Sequence, residues 1–131
     1  MRSVFVSLFA VATASWLAAP VAAHHSFAAQ YDPEKPVTLT GKVTKVEWTN
    51  PHARFYMDVK DAAGKVVNWN FELASPNYLK RAGWSSTSLK EGDTVTVEGA
   101  LARSGANMAN ARTVTLADGS KVFARSTADA N

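Results

Sequence analysis

Val37-Thr38-Leu39-Thr40-Gly41-Lys42-Val43-Thr44-Lys45-Val46-Glu47-Trp48 is the stretch whose reading decides the fold. Val37, Leu39, Gly41 and Val43 fall on one face at period two, the spacing of a strand. The parity then slips, and Val46 and Trp48 take over that face. One extra residue around Thr44-Lys45 is what a β-bulge inserts, and a bulge bends its strand. Gly41, in the same strand, permits another backbone to approach closely. The reading is a long, bent first strand.

Downstream, Thr49-Asn50-Pro51-His52 breaks the strand, because Asn-Pro resets the chain direction. Phe55, Met57 and Val59 alternate with Arg54, Tyr56, Asp58 and Lys60, so a second strand buries one face. Asp61-Ala62-Ala63-Gly64 closes a hairpin. The third strand puts Val67, Trp69, Phe71 and Leu73 on one side and Asn68, Asn70 and Glu72 on the other. Ser75-Pro76 opens a short helix, with Ser as N-cap and Pro at the first position. Tyr78, Leu79 and Ala82 form its apolar stripe, and Gly83 ends it. A fourth strand carries Val95, Val97, Gly99 and Leu101. Residues 103–110 read as a polar loop, and a fifth strand carries Val114 and Leu116. Asp118-Gly119 then turns the chain back through Val122 and Phe123. The order is all-β with one short helix between strands three and four, the layout of a five-stranded OB-like β-barrel. A small β-sandwich is the alternative.

Upstream lies a polar lead-in, residues 24–36, whose Phe27 and Tyr31 would tack it to the domain surface. Before it, Arg2 precedes an apolar run over residues 4–19, followed by Pro20 and Val21-Ala22-Ala23. Small residues at the end of such a run form a signal-peptidase site before His24. The run is shorter than the ~20 residues a membrane span needs. The chain therefore divides into a signal peptide (1–23), the lead-in (24–36), an OB-like barrel (37–125) and a flexible tail (126–131). A periplasmic protein with no transmembrane span after cleavage is expected.

The full chain has 131 residues, a formal net charge of +3 and no cysteine. That length suits one domain. The missing cysteines exclude disulfides, thiolate metal sites, thiol nucleophiles and a lipidated cysteine. The basic residues form no run, and cleavage removes Arg2, so nucleic acid is a poor partner for the near-neutral mature chain. A monomer is expected.

Two constellations carry chemistry. His24 and His25 stand at the expected mature terminus, and His52 lies in the turn after the bent strand. An α-amine and imidazoles together make a nitrogen set that suits copper as Cu(II). Met57 and Met108 are soft donors for Cu(I), although Met57 is in phase with core residues. The second constellation is Tyr56, Asn68 and Asn70 on the outward face of strands two and three, the usual OB ligand surface. An aromatic ring with paired amide donors and acceptors suits a small polar ligand. Another envelope protein is the other partner this face would take. Trp48, Trp69 and Trp84 read as core plugs. Asp32, Glu34, Glu47, Asp58 and Glu72 lie largely on wet faces, and no nucleophile elbow, zincin helix or phosphate loop is present. The reading is a binding or accessory module rather than an enzyme. The alternative is a copper protein using His24, His25 and His52.

The run HHSFAAQYD, then VTLTGKVTKVEWTNPHA, then W-x-F-E-L-A-S-P, RAGW, GDTVTVEG and RTVTLADGSKVF, resembles a bacterial family of small exported proteins of unknown function. The resemblance covers nearly the whole mature chain and implies an OB-like exported module with no assigned chemistry. Arg54, just after Asn50-Pro51-His52-Ala53, departs from the aromatic or aliphatic residue common there in that family, which alters the charge beside the turn.

Overall fold

The computed structural model describes residues 27–123. The leader, His24, His25 and residues 124–131 lie outside them. A short helix α1 (Phe27–Gln30) runs into β1 (Tyr31–Glu47). Then come β2 (Arg54–Lys60), β3 (Val66–Glu72), helix α2 (Pro76–Arg81), β4 (Thr94–Ala102), β5 (Met108–Leu116) and β6 (Lys121–Phe123).

The strands form one sheet in the order β3-β2-β1-β4-β5-β6. A further parallel pairing of β3 with β5, Asn70–Glu72 against Met108–Asn110, closes the first five strands into a ring and leaves β6 outside it. Strand order, closure and the position of α2 are those of the five-stranded OB barrel, with β6 added as a hairpin partner of β5. Closure removes the edges that would otherwise remain open to other chains.

The bend in β1 makes closure possible. Its first part ladders with β4 as far as Lys42↔Thr94, and its last part ladders with β2 from Lys42↔Asp58. The register against β2 shifts between Val43 and Lys45, where the parity of the sequence slips. At the bulge, Val43 also donates its N–H to Asp93 O at 2.8 Å and accepts from Gly92 N at 2.8 Å, so the turn before β4 clamps the bend. A Cβ on Gly41 would intrude on the carbonyl oxygen of Asp58, and one on Gly99 on that of Asn110. At both glycines the neighbouring backbone leaves no room for a side chain.

The interior is filled by the faces the alternation predicts. Phe55 and Phe71 are register partners, both fully buried, with ring centroids 5.1 Å apart. Met57, Val95, Val97 and Val114 surround them, and Leu79 of α2 closes one end. Ser75 caps α2, accepting from Tyr78 N at 3.3 Å, and Gly83 takes φ +92° just beyond it. Ala82 is exposed rather than part of the stripe, because the helix has already ended at Arg81. Trp84 is buried as a plug, while Trp48 and Trp69 are half-buried against the same core.

Two boundaries differ from the sequence reading. β1 begins at Tyr31, not Val37, and Tyr31 is 1% exposed. Tyr31 and Asp32 pair with Ala102 and Leu101 of β4, so the end of the lead-in is strand held by a distant partner. β5 likewise begins at Met108, inside the stretch read as a loop, because β3 offers those backbone groups a parallel ladder.

Gly41→Ala and Gly99→Ala should each lower stability by about 1–3 kcal/mol, since the intruded atoms are backbone and a ladder must shift. Val66→Ala, at a side chain 52% exposed, should stay within about 0.5 kcal/mol. Urea unfolding followed by tryptophan fluorescence checks all three.

Candidate functional site

Successive strands place outward-facing residues in rows across the barrel wall. One row runs Lys45, Tyr56, Asn70, Met108, and the next runs Glu47, Arg54, Glu72, Asn110, Ala100. The hairpin over Asp61–Gly64 fixes these rows on β2 and β3. Asp61 there accepts from Ala63 N and Lys65 N, each at 2.9 Å, which holds the loop tight.

The second row contains a buried polar hub. Glu72 is 4% exposed. Its Oε2 accepts from the Arg54 guanidinium and from the Tyr31 hydroxyl, the latter at 3.1 Å. Arg54 also reaches Asn70 Oδ1 at 3.3 Å and lies 3.9 Å from Met108 Sδ. A carboxylate this deep needs a paired cation, and the hub supplies one. Burial pushes the Tyr31 phenol above its ordinary range; the Glu72 charge adds to this and Arg54 opposes it. The Tyr31 ring packs with Phe27, Ala100, Ala102 and Met108 in a small cluster outside the main core. Asn110, in register with both Glu72 and Ala100, is 2% exposed, and neither polar atom of its side chain has a partner among the described residues.

Tyr56, Asn68 and Asn70 do share the outer wall, and Tyr56 and Asn70 are direct register partners. Asn68 is engaged within the chain, donating to Asp58 Oδ1 at 2.7 Å and Thr44 Oγ1 at 3.1 Å. The Tyr56 ring lies 5.5 Å from Lys45 Nζ. Lys45 pairs with Glu47 at 2.6 Å, which raises the lysine pKa and lowers the glutamate's.

His52 is half-buried, and its Nδ1 is enclosed without a partner among the described residues. His24 and His25 lie outside the described residues. Met57 is core, as its phase indicated, and Met108 sits beside Tyr31 and Arg54. Among the described residues no three of His, Cys, Asp or Glu gather into a metal-binding group. Also among them, no helix is long and apolar enough to cross a membrane.

The sequence reading placed Glu72 with the carboxylates of the wet faces, and the structure buries it. The hairpin register alone sets Arg54 opposite Glu72, which was a usable signal. Tyr31, expected with Phe27 to tack the lead-in to the domain surface, packs there; no local pattern marked Asn110, because it is buried by segments far away in the chain.

Tyr31→Phe should cost about 1 kcal/mol for the lost hydroxyl bond. Arg54→Met should cost about 2–3 kcal/mol by stranding Glu72, and Arg54→Met with Glu72→Leu should recover most of it. The phenol is raised in the folded state, so its stabilising contribution is complete below the ordinary phenol pKa of about 10 and is lost as pH climbs above it. Denaturant midpoints at rising pH should show this alkaline loss, and Tyr31→Phe should remove its tyrosine component.

In structure, the barrel is similar to Rim1, a mitochondrial single-stranded DNA binding protein of S. cerevisiae, at TM-score 0.49 and 10% identity, covering 63% of this chain and 93% of that one. It is also similar to the N-terminal domain of the PriB protein of Thermoanaerobacter tencongensis, at TM-score 0.39 and 20% identity, covering 63% and 96%. Both likenesses are distant, and the fold assignment stands on strand order and closure. No curated protein matches the chain. Residues 11–111 match the model of a family of unknown function, DUF6152, and over that span, which is most of its length, the protein belongs to that family.

Proposed function

We propose that this protein is an exported, periplasmic binding or accessory module, not an enzyme, which presents the outer wall of β2 and β3 to a small polar ligand or another envelope protein. The observation that carries this reading is the preorganised row of polar groups on rigid strands. Arg54 is held by Glu72 and Asn70 with a quarter of its side chain still exposed (26%), beside half-buried Tyr56. Groups fixed this way lose little freedom on binding. Charges on this wall alternate, with Lys45 and Arg54 against Glu47, Asp58 and Glu72, so the wall suits a neutral or zwitterionic ligand better than a polyanion. The leader ending at Ala23 supports export.

A second reading is a copper site built from His24, His25 and His52. It is favoured by the enclosed Nδ1 of His52, which has no partner among the described residues. It also draws on the anchoring of Tyr31 to Glu72, whose register partner Arg54 follows His52 by two residues. Only His25 and Ser26 separate His24 from Phe27, a span of at most about 10 Å.

Both readings are tested on protein processed by a bacterial periplasm. Mass spectrometry should find His24 at the N-terminus; retention of residues 1–23 would remove the exported reading. An NMR screen of sugars, amino acids and short peptides should shift Arg54, Tyr56 and Asn70 together, and Tyr56→Ala should weaken that ligand about tenfold or more. Cu(II) titration followed by electron paramagnetic resonance decides the second reading. A one-to-one site whose nitrogen couplings change in His52→Ala supports it, and loose binding indifferent to His52 ends it.

A further inference from the structure

We propose that Met108 is a site of reversible oxidation to the sulfoxide, and that the barrel wall receives the added oxygen through Arg54 and Asn110. The proposal goes beyond the binding-module reading and does not depend on it. The sequence holds three methionines, Met1, Met57 and Met108. Met57 is 0% exposed in the core, whereas Met108 is half-buried at the start of β5. Oxidation follows access, so Met108 reacts before Met57.

Access alone makes a lesion. What distinguishes Met108 is the pair of poorly met donors beside it. Arg54 Nη2 is taken by Glu72. Among the described residues, Arg54 Nη1 has Asn70 Oδ1 at 3.3 Å and Met108 Sδ at 3.9 Å. The first contact is long for a charged donor, and thioether sulfur is a weak acceptor. Asn110 follows Met108 by two residues on the same outward face of β5, between Ala109 and Ala111 of the core. It is 2% exposed, and its Nδ2 has no partner among the described residues. A sulfoxide oxygen stands one covalent bond out from Sδ and makes the side chain polar, so it offers both donors what the thioether does not.

The oxidant is a hydroperoxide. A sulfur lone pair attacks one peroxide oxygen and the O–O bond breaks. The transferred oxygen loses its proton and stays on sulfur, and with hydrogen peroxide the other oxygen leaves as water. Sulfur gives up two electrons and the peroxide takes them. The new S–O dipole draws Arg54 Nη1 off Asn70, while Glu72 keeps Nη2. Oxidation therefore frees the Asn70 side-chain carbonyl without dismantling the buried ion pair. A methionine sulfoxide reductase with a dithiol as reductant reverses the step.

The test treats the full chain with limiting hydrogen peroxide. Peptide mass spectrometry should find Met108 oxidised about tenfold or more faster than Met57. NMR should then show the Arg54 Nε–H and the side-chain amides of Asn70 and Asn110 moving together, and sulfoxide reductase with dithiothreitol should return them. Met108→Gln, which supplies an amide oxygen in place of the sulfoxide oxygen, should reproduce those shifts without peroxide. Met108→Leu should show none of them on treatment. Oxidation should leave the urea midpoint of wild type unchanged and lower that of Arg54→Met with Glu72→Leu, which has no guanidinium to receive the oxygen. Met57 oxidised as fast as Met108 overturns the proposal. Oxidation of Met108 that leaves Arg54, Asn70 and Asn110 unmoved also overturns it, as does an equal fall in the midpoints of wild type and the double variant. Either of the last two outcomes reduces Met108 to an accessible thioether.

Discussion

One strand has to serve two partners, and the rest of the barrel depends on how it does so. β1 ladders with β4 along its first part and with β2 along its last part, and it changes partner at Lys42. A straight strand cannot make that exchange, because its two partners would then lie in one open sheet. The bulge between Val43 and Lys45 supplies the bend, Gly41 lets Asp58 pass close, and the turn at Gly92-Asp93 locks Val43. Once β1 is bent, β3 and β5 meet, and their parallel pairing closes the wall.

Closure has a consequence outside the barrel. Bringing β5 beside β3 sets Asn110 next to Glu72 and places both within reach of the N-terminal segment. The Arg54–Glu72–Tyr31 hub then ties together β1, β2 and β3. A buried carboxylate is costly unless paired and hydrogen-bonded, and here Oε2 has both kinds of partner. Such a hub is weak as a source of stability but strong as a specifier of arrangement, because it is satisfied in only one packing. The protein keeps it on the wall that OB-type barrels leave for ligands, which links the energetics of the fold to the proposed function.

The two functional readings draw on different ends of the same feature. Arg54 follows His52 by two residues and pairs with Glu72, which anchors Tyr31 near the start of the described chain. The β1–β2 turn and the N-terminal segment are therefore joined through one ion pair. A ligand on the wall and a metal bound at the chain terminus would both be sensitive to it, and for that reason His52→Ala and Tyr56→Ala are informative as a pair.

Local patterns in the sequence determined most of the barrel. Period-two alternation set the inward faces of β2, β3 and β4, the parity slip located the bulge, and Ser75-Pro76 and Gly83 bounded α2. These signals are legible because side-chain periodicity, capping and turn chemistry act between residues a few positions apart. The outward placement of Tyr56, Asn68 and Asn70 followed from the same alternation. Tertiary structure alone decided that Tyr31 and Met108 begin strands and that Glu72 and Asn110 are buried. Each of those outcomes depends on a partner tens of residues away, supplied by barrel closure: Ala102 for Tyr31, and β3 for Met108 and Asn110. Burial and backbone pairing are properties of the closed wall, and no local stretch of sequence carries them.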